Sequence, residues 1–204
     1  MNGCDQRKWW DQGDNMKFTV QDTHLAEVKI ITPDRFEDHR GYFYEVYADY
    51  KFRDLGLPDK FVQINCSGSV KGVIRGLHFQ WDPPMGKLMR IIRGEAFIVA
   101  VDIRRQSPTL GKWVGISATD KNCKQLWAPA CFARGFCALS DYVEIEYLCT
   151  GTYNGAAEAG ILWNDPEIGI NWPIKDPILS DRDKIAPTLQ EWLQSEKGNV
   201  WDNF

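Results

Sequence analysis

Between residues 27 and 149 the chain breaks into short β-patterned runs separated by turn-forming residues, and this spacing limits the fold more than any other feature. The runs cover 27–32, 41–47, 61–66, 73–80, 88–93, 95–103, 113–119, 123–127, 134–139 and 142–149. The punctuation is "SGS", "DPPMG", "RGE", "QSPTLG" and "SD", all rich in residues that tolerate tight turns. Ten short strands in such a span argue against βαβ repeats. The expectation is an all-β sandwich, jelly roll or barrel. "MKFTV" at 16–20 adds a first strand. Two helices are predicted: one over 47–55, ended by Gly56, and one over "TLQEWLQSEK", where Thr188 and Glu191 form a capping box and Gly198 marks the stop.

A chain of 204 residues with 44% hydrophobic content has enough apolar surface for one sizeable core, and no linker or repeat divides it. Residues 16–204 therefore read as one domain. Residues 1–15, polar apart from Trp9 and Trp10, read as an N-terminal extension expected to be poorly ordered. The net charge of -4, with no basic stripe, gives nucleic-acid binding no electrostatic support. No apolar stretch is long enough to span a membrane and no signal-peptide core opens the chain, so a cytoplasmic location is expected. The six cysteines form no CxxC pair and read as reduced. Nine tryptophans serve either core packing or stacking on a ring-containing ligand.

Few residues can do chemistry. Of three histidines, His78 lies within the strand-like "VIRGLHFQ", as either a hydrogen-bonded core residue or a base. Its neighbour on the same face is Gln80, so the His-x-His pair of a mononuclear metal site is missing and no metal is expected. Cys131 and Cys137 flank "FARG" but lack a histidine to activate them, and read as structural. In "YVEIEYLC" the alternation places Val143, Ile145, Tyr147 and Cys149 on one face and Glu144 and Glu146 on the other. Tyr147 thus points inward, as packing or as an acid opposite His78. Arg75 and His78 fall on opposite faces of a regular strand, and a bulge at Gly76 would be needed to bring them together. Lys87 and Arg90 can each bring positive charge to a ligand or simply face solvent.

Several segments resemble the dTDP-4-dehydrorhamnose 3,5-epimerase family: "DHRGYFYE" (38–45), "FVQINCS" (61–67), "GVIRGLHFQ" (72–80), "GKLMRIIRGEAFIVAVDIRRQSPTLGKW" (86–113), "FARGF" (132–136) and "ILSDRDKIAP" (178–187). The resemblance implies a cupin-like jelly roll with a few short peripheral helices. It makes His78 the general base, Asp183 its supporting carboxylate, Tyr147 the acid on the opposite sugar face and Lys87 the residue facing the ketone oxygen. Arg40, Phe43, Glu45, Gln63, Asn65, Arg75, Arg134 and Glu158 match or adjoin ligand-binding positions, and Tyr153 matches an aromatic that stacks on the nucleotide base. The implied substrate is a nucleotide-diphosphate-linked 4-keto-6-deoxy sugar. No cofactor is implied, and the implied assembly is a homodimer whose sites borrow the partner's N-terminal strands. Inversion at one carbon only, a GDP- or CDP-linked ketosugar, and a non-catalytic sugar-nucleotide-binding cupin are the alternatives. One position departs: Arg134 stands where the family has His in "FAHGF", and is expected to contact the diphosphate or a sugar hydroxyl and to shift specificity.

Overall fold

The computed structural model describes residues 16–202, so the expectation for residues 1–15 lies outside the described residues. In chain order the strands are β1 (Phe18–Asp22), β2 (Lys29–Pro33), β3 (Arg35–Asp38), β4 (Gly41–Tyr44), β5 (Gln63–Val70), β6 (Ile74–Gln80), β7 (Lys87–Arg93), β8 (Glu95–Asp102), β9 (Trp113–Thr119), β10 (Gln125–Ala128), β11 (Phe132–Ala138), β12 (Tyr142–Cys149) and β13 (Glu158–Gly160). Three short helices accompany them: α1 (Asp49–Asp54), α2 (Asp181–Lys184) and α3 (Leu189–Gln194). One sheet has the order β1-β2-β10-β7-β12-β5 and the other β13-β6-β11-β8-β9, while β3 and β4 form a separate hairpin. All of these pairings are antiparallel, although only β1–β2, β3–β4 and β8–β9 join consecutive strands.

The two large sheets face each other over one apolar core, giving the jelly-roll sandwich the sequence predicts. Met89, Ile91, Val143 and Ile145 of the six-stranded sheet meet Leu77, Phe79, Ile98 and Phe136 of the five-stranded sheet in that core. Strand β8 is covered on both faces: its outer side places Phe97 against Trp113 and Trp172, at ring separations of 6.4 and 6.1 Å. Its sequence is accordingly a continuous apolar run, not an alternating one. The outer face of the six-stranded sheet carries a second cluster, in which Phe52 of α1 packs with Phe18, Ile31, Leu88 and Leu148. Alternation along β7 and β12 follows: Leu88 and Leu148 face α1, so Lys87, Met89 and Tyr147 must face the sandwich interior.

The helix signals hold with adjustments. The Thr188–Glu191 capping box is present, worth about 1 kcal/mol, but α3 ends at Gln194, short of the predicted stop at Gly198. The helix predicted over 47–55 is shorter, Asp49–Asp54. Strand β5 runs on to Val70 beyond the predicted end at 66. The run predicted over 41–47 is one arm of the β3–β4 hairpin, and β3, β13 and α2 carry no clear periodic signal because each is only three or four residues long.

Candidate active site

The site is built around a departure from strand regularity in β6. Arg134 of β11 pairs with His78, while Phe136, two residues on, pairs with Arg75, three residues back. The extra residue is a bulge, and it reverses the parity of the strand between Arg75 and His78. Both side chains therefore face the same cavity, which a regular strand forbids. Only glycine fits there: Gly76 has φ +124°, and a Cβ on it would lie 2.6 Å from Gly135 Cα and 2.7 Å from the Arg134 carbonyl oxygen.

The carboxylate partner arrives from a distant segment. Ile178 exchanges backbone hydrogen bonds with Gly72 and Ile74, pinning the chain beside the start of β6. Ser180 then caps α2, its hydroxyl accepting from the Asp183 amide at 3.1 Å. This places Asp183 Oδ1 2.6 Å from His78 Nε2, a charge-assisted distance when the imidazole is protonated. Burial works to raise the Asp183 pKa, but hydrogen bonds from His78 and Ser180, the His78 charge and the Gly76 amide hold it below the ordinary carboxylate value. The carboxylate stays ionised beside the imidazole and fixes the orientation of the ring.

The opposite wall comes from the six-stranded sheet. Tyr147 faces the cavity and shares a hydrogen bond of 3.1 Å with Ser67 of β5. Burial pushes its phenol up to about 12, against the opposing effects of the Ser67 hydrogen bond and the Arg75 charge, so it stays protonated and able to donate. Lys87 lies beside it, its Nζ 5.5 Å from the Tyr147 ring centre. Burial, then the Arg134 charge, lower the Lys87 pKa to about 8. Arg75 reaches across from β6 to β5, donating to Ser69 Oγ at 3.0 Å and to the Gly68 carbonyl at 3.1 Å. The half-open cavity is about 530 Å³, within the range of small-ligand sites.

Of the residues singled out from the sequence, His78, Lys87, Tyr147, Asp183, Asn65, Arg75 and Arg134 line this cavity. Gln63, Tyr153 and Glu158 form a linked rim. Gln63 donates to Asn65 Oδ1 at 2.9 Å and accepts from the Tyr153 amide at 2.8 Å. Glu158 pairs with Arg182 at 2.7 Å, and Arg182 itself lines the cavity. Arg40, Phe43 and Glu45 are not brought to it: Arg40 and Phe43 are exposed on the β3–β4 hairpin, with Arg40 held by Asp38 at 2.6 Å, and Glu45 pairs with Lys51 at 2.6 Å. Arg90 also belongs elsewhere. It points to the outer face, where it meets Glu146 at 2.8 Å and the Tyr44 hydroxyl at 2.8 Å.

The sequence reading missed Ser67 and Arg182. Ser67 was detectable only through register, since it sits two residues from Asn65 on the strand paired with β12. Arg182 stood inside "SDRD" without a distinguishing signal. Among the described residues no tryptophan lines the cavity, so the tryptophan load there serves packing. No group of three metal-ligating side chains occurs among the described residues, and no described helix is long and apolar enough to cross a membrane. Burial raises Cys131 and Cys137 to about 11, as expected of structural thiols.

Fold and site together define a class: a cupin-like β-sandwich whose cavity sets a His–Asp couple against a tyrosine, the equipment of an acid–base isomerase. Comparison with known proteins agrees. The family model for dTDP-4-dehydrorhamnose 3,5-epimerase matches residues 22–191. The chain is 46% identical over 178 residues to a dTDP-4-dehydrorhamnose 3,5-epimerase of Methanothermobacter thermautotrophicus, covering 86% of this chain and 96% of that protein. It is 48% identical over 179 residues to the Neisseria gonorrhoeae protein of the same name, covering 87% of this chain but 54% of that longer protein. A crystal structure of dTDP-6-deoxy-D-glucose-3,5-epimerase from Legionella pneumophila, in complex with dTDP-4-keto-L-rhamnose, superposes with a TM-score of 0.82 at 42% identity, covering 85% of this chain and 93% of that one. The chain belongs to the dTDP-4-dehydrorhamnose 3,5-epimerase family.

Proposed function

We propose that this chain is an isomerase that inverts C3 and C5 of a dTDP-linked 4-keto-6-deoxy sugar, in deoxysugar biosynthesis. The observation that carries the reading is the placement of His78 on one sheet, backed by Asp183 of α2, and of Tyr147 with Lys87 on the other, across one cavity. The 4-keto group acidifies the hydrogens on C3 and C5. His78 removes one of them, Asp183 compensates the imidazolium charge, and electron density moves to O4 beside Lys87. Tyr147 returns a proton from the opposite face, which inverts the centre. Repeating the sequence at the second carbon completes the reaction without redox change, so its balance calls for no cofactor. Binding energy from the nucleotide diphosphate, gathered by Arg75, Arg182 and the Tyr153 rim, orients the sugar between the two walls.

The functional unit of this reading is a homodimer. Arg40 and Phe43 lie on a hairpin outside their own chain's cavity, and Phe43 and Tyr42 are 45% and 50% exposed there. Strand β5 is an open sheet edge bearing Ile64 at 62% exposure. A second copy would cover both and bring the hairpin residues to a neighbouring site. Sedimentation should give twice the chain mass. Incubation with dTDP-4-keto-6-deoxyglucose in deuterated buffer tests the chemistry: proton NMR should show deuterium at C3 and C5 and the inverted product. Absence of exchange at both carbons overturns the reading.

A further inference from the structure

Arg134 is 3% exposed. Its Nη1 donates to the carbonyl oxygens of Met85 at 2.7 Å and Pro129 at 3.0 Å, with a longer contact to Ala128 at 3.5 Å. Its Nε and Nη2 are buried and have no partner. Neither Arg134 nor Lys87 forms a carboxylate ion pair among the described residues, and both line the cavity of the His78–Asp183 couple. Met85 immediately precedes the chain segment leading into Lys87, and Ala128 pairs with Lys87 in the sheet. The guanidinium thus reaches from the five-stranded sheet to the Lys87 end of the opposite one. Two cations stand together at this end of the cavity, and two buried N–H donors of Arg134 lack protein acceptors there. Both features carry a cost that a negatively charged oxygen between them would relieve, since unpaired buried donors and closely held like charges are unfavourable.

The free donors suit an oxygen that becomes negative. On the reading given above, the ketone is neutral when it binds, and the C–H electron pair left by His78's proton abstraction forms a carbon–carbon double bond while the carbonyl π pair moves to O4. We propose that Arg134 is a second cation of the enolate site, its Nε–H and Nη2–H donating to O4 alongside Lys87 as that charge develops. Such donors contribute to the transition state more than to the bound ketone, so they act on kcat and hardly on KM. Burial lowers the Arg134 pKa to about 10, so it keeps its charge across the neutral range. The same charge helps to hold Lys87 down near 8, so activity requiring the Lys87 ammonium falls as the pH rises through that value. Without the Arg134 charge, Lys87 titrates higher and the alkaline limb moves up.

The test compares wild type, Arg134→Gln and Arg134→Lys for deuterium exchange at C3 and C5 of dTDP-4-keto-6-deoxyglucose between pH 6 and 10. Thermal melting and dTDP binding report the fold. Gln removes the charge and, ending two bonds short of Nη1, also gives up the bond to the Met85 carbonyl. It is expected to lower kcat by roughly 10²- to 10³-fold, the scale for losing one oxyanion donor, to leave KM nearly unchanged, and to shift the alkaline limb upward. Lys keeps the charge and should recover most of the rate with the limb in its wild-type place. A folded Gln variant with wild-type kcat, or with its limb unmoved, overturns the proposal; so does a Lys variant as slow as Gln. Should Gln not fold, Arg134→Met, uncharged and of similar length, replaces it over the same pH range with the same two outcomes. Wild type without exchange would instead refute the epimerase reading itself.

Discussion

Two aspartates, both almost fully buried, show how surroundings divide one residue type between structure and chemistry. Asp102, 0% exposed, closes the turn after β8, and every partner it has is a permanent donor. Arg104 reaches it through the amide and Nε at 3.0 Å and through Nη2 at 2.7 Å, while Ser107 and Thr109 donate hydroxyls at 2.6 Å. Arg104 is itself anchored to Glu27 at 2.6 Å, which ties the turn to the loop before β2. Asp183, 3% exposed, has fewer partners, and the principal one is an imidazole whose proton can leave. A carboxylate saturated by fixed donors holds a loop. One coupled to a titratable ring, facing a cavity, can support proton transfer.

The largest effect that would break this comparison is on the imidazole side. His78→Ala should lower exchange at both ring carbons by about 10²- to 10⁴-fold, the range of general-base contributions, with little change in melting temperature. Near-normal exchange would remove the base assignment, and a collapsed fold would make the couple structural like Asp102. Asp102→Ala should behave in the opposite sense. Losing the shared acceptor of Arg104, Ser107 and Thr109, with Arg104 left on Glu27 alone, costs about 3 kcal/mol, the scale for hydrogen bonds to a charged group, measurable by urea unfolding. The fraction that remains folded should keep its kcat. Tyr147→Phe comes next: removal of the acid should cut net inversion by roughly 10²-fold while deuterium exchange persists at one or both carbons. Equal loss of exchange and inversion would make Tyr147 a positioning residue.

The architecture was legible because turn chemistry and strand periodicity agreed along most of the chain. Strands β9 and β12 occupy the predicted 113–119 and 142–149, and the inward face assigned to Tyr147 follows directly from that alternation. The His78–Asp183 couple was legible only through resemblance, since 105 residues separate its members and no local pattern announces the contact. Whether Arg75 and His78 could share a face turned on the bulge, and its cause lies in two strands at once: Gly76 and Gly135 must both lack a Cβ for the backbones to approach. A single strand's sequence does not carry that information. Arg134 shows the same limit. The sequence marks it as a departure, but its two unpartnered nitrogens exist only once β11, the Met85 loop and β10 are packed together.

The smallest expected effect concerns acid, and it sharpens the comparison of the two carboxylates. For both, burial alone would raise the pKa, and hydrogen bonds reverse it: Arg104, Ser107 and Thr109 for Asp102, His78 and Ser180 for Asp183. A carboxylate depressed in the folded state contributes stability above its unfolded pKa and loses it as pH falls through the folded one. Replacement by Asn removes that contribution, so the gap in melting temperature between wild type and variant should narrow on acidification from pH 7 to pH 3. The narrowing should be the larger for Asp102→Asn, where every partner is a fixed donor, and slight for Asp183→Asn, whose carboxylate leans on one ring and a helix cap. A narrowing for Asp183→Asn as large as that for Asp102→Asn would show that the His78 couple holds the fold as firmly as the Asp102 turn does, and a gap that widens in acid would show that the Asp183 carboxyl is not held low at all.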